Sequence, residues 1–166
     1  FWTSLARHLT GKNEIAKLEN AFNQEDKDNK PPVSQKAFAL GILYLVDGNG
    51  WSALRHSRRL SGTRTLKTRP YADTWCHYLI GNACFQTLQF QKAHTNFSFV
   101  VENQSYANYR VTANAFAGLM LTCHFMDKPQ KADEMVIAAE TYGRWTNDPF
   151  IIEIIESCKA RLALLR

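Results

Sequence analysis

No stretch of the sequence approaches the ~20 uninterrupted apolar residues that a membrane span requires. The opening Phe1-Trp2-Thr3-Ser4 also lacks the basic head, apolar run and small-residue cleavage site of a secretory signal. Both absences predict a cytoplasmic chain with no membrane partner. Paired cysteines are missing as well, since Cys76, Cys84, Cys123 and Cys158 form no CxxC. Were Cys76 and Cys84 on one helix, their spacing would hold them about 12 Å apart, beyond the ~7 Å that a disulfide spans. Reduced, buried thiols are expected. The pairs Cys76-His77 and Cys123-His124 predict no metal, because neighbours on a helix point about 100° apart and cannot close a site alone.

Catalytic patterns are equally scarce. Gly50-Trp51-Ser52-Ala53-Leu54 departs from a nucleophile elbow at its last residue, and no HExxH occurs. The one Gly-Lys, in Gly11-Lys12-Asn13, lacks the earlier glycine and the hydroxyl of a phosphate-binding loop. Glu153 and Glu156 are spaced for one helix face, which on an amphipathic helix reads as solvated surface. Asn96-Phe97-Ser98 and Asn103-Gln104-Ser105 fit the glycosylation sequon only nominally in an intracellular chain. The expectation is a protein that is not an enzyme and carries no cofactor.

Acids are absent from residues 55–69, where Arg55, Arg58, Arg59, Arg64, Lys67 and Arg69 fall together. This segment accounts for more than the whole net charge of +5. A nucleic-acid footprint spreads over one face of a fold, whereas here one helix end and its loop carry the excess. A solvated loop is the plain reading, an anion contact the alternative, and direct DNA contact is not expected.

What the sequence does hold is apolar periodicity. Its 166 residues, 45% hydrophobic and 12% aromatic, suffice for one ordinary domain or a short run of repeats that buries about 70% of the unfolded surface. Apolar residues recur at three- and four-residue steps between short breaks rich in Gly, Pro, Asn and Asp, which predicts an all-α fold. An N-terminal helix pair is expected at 1–10 and 14–23, followed by the charged, Pro-terminated linker 24–32. From residue 33 to 166 an array of paired helices is expected near 34–46, 51–60, 72–88, 91–102, 106–126, 129–142 and 150–166. Ser34 and Asp148 serve as caps, Pro129 as a helix start and Gly48 as a stop.

The pairs repeat. Gly41, Gly81, Met120 and Ala160 recur at steps of 40, 39 and 40, and Tyr44, Cys84, Cys123 and Ala163 keep the same steps. In the second helix of each pair Ala53, Ala93 and Ala132 recur in register, followed by Ser57, Phe97 and Val136, then Leu60, Val100 and Ala139. Small residues at fixed places let two helices approach closely, and the apolar ones fill the space between successive pairs.

These positions resemble tetratricopeptide-type helical hairpins, with a period near 40 in place of 34. More specifically, residues 71–166 resemble the helical-repeat region of large ATP-dependent LuxR-family transcriptional regulators of the MalT type. The resemblance is carried by Tyr78-Leu79-Ile80-Gly81, Phe97-Ser98-Phe99-Val100-Val101-Glu102-Asn103, Tyr109-Arg110, Gly118-Leu119-Met120-Leu121-Thr122, Lys128-Pro129-Gln130-Lys131-Ala132 and Ala160-Arg161-Leu162-Ala163-Leu164-Leu165. It is looser over 35–60. It implies a right-handed α-α superhelix that senses an inducer or partner protein for the ATPase and helix-turn-helix parts of the same polypeptide. Neither of those parts is encoded here. The start at Phe1, and a fourth pair that stops after its first helix with Leu162, Leu164 and Leu165 awaiting a partner helix, lead us to expect an excised segment of a longer chain.

Stacked hairpins curve, and their first helices line the inner side. The register turns Phe38, Ile42 and Leu45, then Trp75, Tyr78, Asn82 and Phe85, then Asn114, Leu121, His124 and Phe125, and finally Arg161 toward that side. Aromatic platforms with amides, an imidazole and a guanidinium suit a small organic ligand or an extended peptide. Packing between hairpins is the alternative use of each side chain, His124 above all. Two functions follow: a non-enzymatic sensor arm of a regulator, or a stand-alone scaffold docking peptides or nucleic acid through the groove and the 55–69 patch.

Overall fold

Several helix starts in this chain are set by prolines and by side-chain caps. The computed structural model describes residues 33–61 and 70–165. They form α1 (Val33–Val46), α2 (Gly50–Ser61), α3 (Pro70–Gln86), α4 (Phe90–Glu102), α5 (Tyr109–Phe125), α6 (Pro129–Thr146) and α7 (Pro149–Leu164), with a 3-10 turn at Gln104–Tyr106. No strand occurs among the described residues, so the fold there is all-α. The helix pair and linker expected over 1–32, together with Arg64, Lys67 and Arg69, lie outside the described residues. No described helix is long and apolar enough to cross a membrane.

Pro129 and Pro149 open α6 and α7, where a missing N–H forfeits no intrahelical bond. Asp148 caps α7 as expected, its Oδ1 accepting from the Phe150 N–H at 2.9 Å. Three expectations are corrected. The first helix begins at Val33, so Ser34 lies inside its first turn. The helix expected from residue 106 starts at Tyr109, because Asn108 accepts from the Arg110 N–H at 2.9 Å and Gln104–Tyr106 closes a separate 3-10 turn. The helix expected to stop at residue 142 runs on to Thr146, where Asn147 turns left-handed at φ 49°.

Each pair is joined in the same way. Gly48, Leu88 and Asp127 take φ values of 75°, 59° and 56°. The following N–H groups, of Asn49, Gln89 and Lys128, reach back to the carbonyls of Tyr44, Cys84 and Cys123 at 2.9, 2.8 and 2.9 Å. The left-handed residues themselves donate to Leu45, Phe85 and His124 at 3.1, 3.0 and 2.9 Å, which completes a Schellman closure. Asn49, Gln89 and Lys128 then open the next helix, their carbonyls accepting from the Ala53, Ala93 and Ala132 N–H groups at 3.0, 2.9 and 3.1 Å. One residue thus ends one helix and begins another, forcing the chain to double back. The three alanines have alike surroundings, each with 0% exposure.

Small residues set the spacing within and between pairs. A methyl group at Gly41 would stand 3.0 Å from Ser57 Oγ; at Gly81 and Gly118 it would stand 2.8 and 2.5 Å from the Phe97 ring. Phe97 is therefore gripped from both sides, by α3 of its own pair and by α5 of the next, and is 2% exposed. Apolar cores form where successive pairs meet. One holds Leu60, Cys76 and Leu79, a second Leu54, Phe97, Val111 and Leu119, and a third Phe116, Met120, Tyr142, Ile151 and Ile155. Leu162 belongs to the third core and is 3% exposed, which corrects the expectation that it awaits a partner. Leu164 and Leu165 are exposed, and so is Ala160, whereas its counterparts Gly41, Gly81 and Met120 are buried.

Candidate functional site

The register that stacks the pairs also sorts the candidate residues, and it distributes them over three places. Phe38, Trp75 and Tyr78 form an aromatic ladder across α1 and α3. Ring centroids lie 5.9 Å apart for Phe38 and Trp75, and 6.0 Å for Trp75 and Tyr78, both edge-on. Tyr78 continues to Phe97 at 6.4 Å. All three are half-buried against the cores, and burial pushes the Tyr78 hydroxyl above its usual range, with the Asn82 side chain opposing. The Asn82 amide donates to the Tyr78 carbonyl at 2.8 Å. These side chains knit the first helices together.

Phe85 and His124 stand at the joint end of the array. Phe85 meets Phe90 at 5.5 Å and Phe125 at 5.8 Å, Phe90 and Phe125 stack at 5.0 Å, and His124 lies edge-on to Phe125 at 5.4 Å. Phe125 and Leu88 leave this cluster partly open to solvent.

Asn114, Leu121 and Arg161 come together in a third place, a groove of about 360 Å³ between α5 and α7. Ala117, Leu121, Ile154 and the edge of Cys158 make its floor, Phe150 closes one end, and Asn114, Glu153, Ser157 and Arg161 stand on its rim. The Asn114 amide N–H donates to the Arg110 carbonyl at 2.8 Å. The Arg110 guanidinium lies over the Phe150 ring, 4.3 Å from its centroid, and braces that end. The Cys158 thiol donates to the Ala117 carbonyl at 3.5 Å, and burial pushes its pKa up to about 11.

Glu153, Ser157 and Cys158 were absent from the candidates read in the sequence. Their signal was the i, i+4, i+8 spacing of Glu153, Ser157 and Arg161, which puts an acid, a hydroxyl and a base on one stripe of a helix. Glu156, which the sequence groups with Glu153, has a different task. Lys159 Nζ sits 2.9 Å from its carboxylate and 2.6 Å from that of Glu140, tying α7 to α6. The Lys159 hydrogen bond holds the Glu140 carboxyl below its usual range.

Ser157 brings a hydroxyl and Cys158 a thiol to the lining of the groove. The four cysteines are free and buried, and desolvation pushes the Cys76 thiol up to about 12. Among the described residues no three metal-ligating side chains converge. Of the basic patch, Arg55, Arg58 and Arg59 are exposed on α2, and the latter two fall in its last turn, where the helix dipole favours positive charge. No protein-family model matches the chain, and no curated protein matches it.

Proposed function

We propose that this chain is a non-enzymatic binding arm of a multidomain transcriptional regulator. In this reading a tetratricopeptide-like, right-handed superhelix receives a small-molecule inducer or a partner peptide on its inner face. It passes that event to ATPase and helix-turn-helix parts of the same polypeptide. The link to regulators rests on the resemblance of residues 71–166 alone.

The observation that carries the binding role is the groove between α5 and α7. Its volume lies in the range of small-ligand sites, and an apolar floor under a few polar groups is what such sites use to combine affinity with orientation. Packing supports its position on an inner face. The first helices α1, α3, α5 and α7 lie against one another in succession, while each second helix packs on the first helix that follows it. The layer whose members touch is the shorter one, so a stack of this kind bends toward its first helices. A ligand bridging α5 and α7 favours whichever curvature holds those helices closest, and that differential affinity is the only signal a ligand can send.

Thermal-shift measurements over a library of small metabolites and short peptides test this reading. Ser157 is exposed on the rim, so a Ser157→Trp indole fills the groove and leaves the core untouched. Compounds are expected that raise the melting temperature of the unmodified chain and have no effect on the variant; at a hundredfold excess over Kd the stabilisation is about 2.7 kcal/mol. A library that stabilises neither protein, or both equally, removes the groove as the receptor.

A further inference from the structure

The rim of the groove carries two opposite charges that the described fold does not use. Glu153 and Arg161 are both exposed, and neither makes an ion pair or a side-chain hydrogen bond among the described residues. Their neighbour Lys159 shows that this helix does neutralise charge elsewhere, since it holds Glu140 and Glu156 on the α6 side of α7. Glu153 and Arg161 are eight residues apart, two turns along α7, so their backbone positions stand about 12 Å apart at 1.5 Å per residue. That distance is too long for them to satisfy each other directly. Between them lie the Ser157 hydroxyl on the rim and the apolar floor of Leu121 and Ile154.

The geometry points to a short zwitterionic peptide of two or three residues as the ligand of this groove, its ammonium end at Glu153 and its carboxylate end at Arg161. This assignment rests on the groove being the receptor, as proposed above. An extended chain advances about 3.3–3.6 Å per residue, and a hydrogen bond of about 2.8 Å at each end adds to its reach, so a dipeptide or tripeptide spans the interval. Arg161 offers a carboxylate a planar pair of N–H donors. Glu153 accepts from an ammonium. The second positive charge near that end, Arg110, is held on the Phe150 ring at 4.3 Å and is not among the residues lining the groove. A central apolar side chain covers Leu121 and Ile154, and Ser157 with Asn114 can meet the peptide backbone.

Isothermal titration calorimetry of the whole chain with Ala-Xaa-Ala tripeptides, Xaa being Leu, Met or Phe, provides the test. At least one tripeptide is expected to bind. N-acetylation is expected to weaken it about five- to tenfold, as is Glu153→Gln, and the two together no further, because both remove the same contact. C-amidation and Arg161→Gln should behave as a second such pair. Failure of all three tripeptides overturns the proposal. So does equal binding of free and doubly blocked tripeptides; if Ser157→Trp then abolishes both, the groove survives as a receptor and only its preference for charged ends is lost. A tripeptide that binds Ser157→Trp as well as it binds the unmodified chain sinks both readings together.

Discussion

Leu88 stands in left-handed backbone at φ 59° with 73% of its surface exposed. A side chain there costs roughly 1–2 kcal/mol through the clash of its Cβ with the following carbonyl. Gly48 occupies the same place in the preceding joint, at φ 75°, without that penalty. Exchanging the two chemistries should therefore move stability in opposite directions. Leu88→Gly is expected to stabilise by about 0.5 kcal/mol once the extra freedom of glycine in the unfolded chain is counted, and Gly48→Ala to destabilise by about 1 kcal/mol. Chemical denaturation of both variants decides it, and shifts of the same sign would refute the equivalence of the joints. Phe97 makes a second point at this scale. A methyl at Gly118 would stand 2.5 Å from its ring, so Gly118→Ala is expected to cost roughly 1–3 kcal/mol by overpacking. Adding Phe97→Leu makes room for the methyl, and the double variant should lose less than the sum of the singles.

Among the helices, the register assigns opposite fates to the same substitution. Ala93 lies in the first turn of α4 with no exposed surface, as do Ala53 in α2 and Ala132 in α6, whereas Ala160 faces solvent on α7. Ala93→Leu is expected to cost roughly 1–3 kcal/mol and Ala160→Leu to stay within about 0.5 kcal/mol, as melting curves of both will report. The helices and these alanines were legible in the sequence because period and spacing encode which face is buried. The ends of α5 and α6 were not. Asn108 outcompetes Tyr106 as the start of α5, and Gly143, which follows Tyr142 as a stop signal would, lies inside α6 because a side chain there would stand 3.0 Å from Ile155. The candidate site was legible in part for the same reason. Asn114, Leu121 and Arg161 follow from the register, but Glu153 and Glu156 look alike along one strip of sequence. Only the arrival of Glu140 from α6 separates them, by drawing Glu156 and Lys159 to the other side. The aromatic residues Trp75 and Tyr78 are ambiguous for a different reason, since a platform for a ligand and a rung between helices need the same rings.

Across the whole molecule the four thiols are distributed through the stacked cores; Cys76, Cys84 and Cys123 are reached only when the layers part, while an edge of Cys158 faces the groove. Burial raises the folded pKa of Cys76 from 9.0 to about 12 and that of Cys158 to about 11. The sign is that of an acid disfavoured in its charged form. Below pH 9 both states are protonated and stability is full; as pH rises from 9 toward 12 the unfolded thiols ionise first, and stability falls. Stability measured by urea titration should therefore decline over that window, and Cys76→Ala should flatten the decline; a decline of unchanged slope in the variant would show that this thiol is not its source. A thiol reagent at pH 8 should find Cys76, Cys84 and Cys123 only as the protein unfolds. The identical joints have a last consequence, which concerns engineering. Because Gly48, Leu88 and Asp127 close with the same backbone bonds, a cut at one can be spliced to a cut at another without disturbing the crossover. Removing residues 49–88 would bring Gly41 to the place that Gly81 holds against Phe97, so a chain shortened by this one unit is expected to keep the crossover.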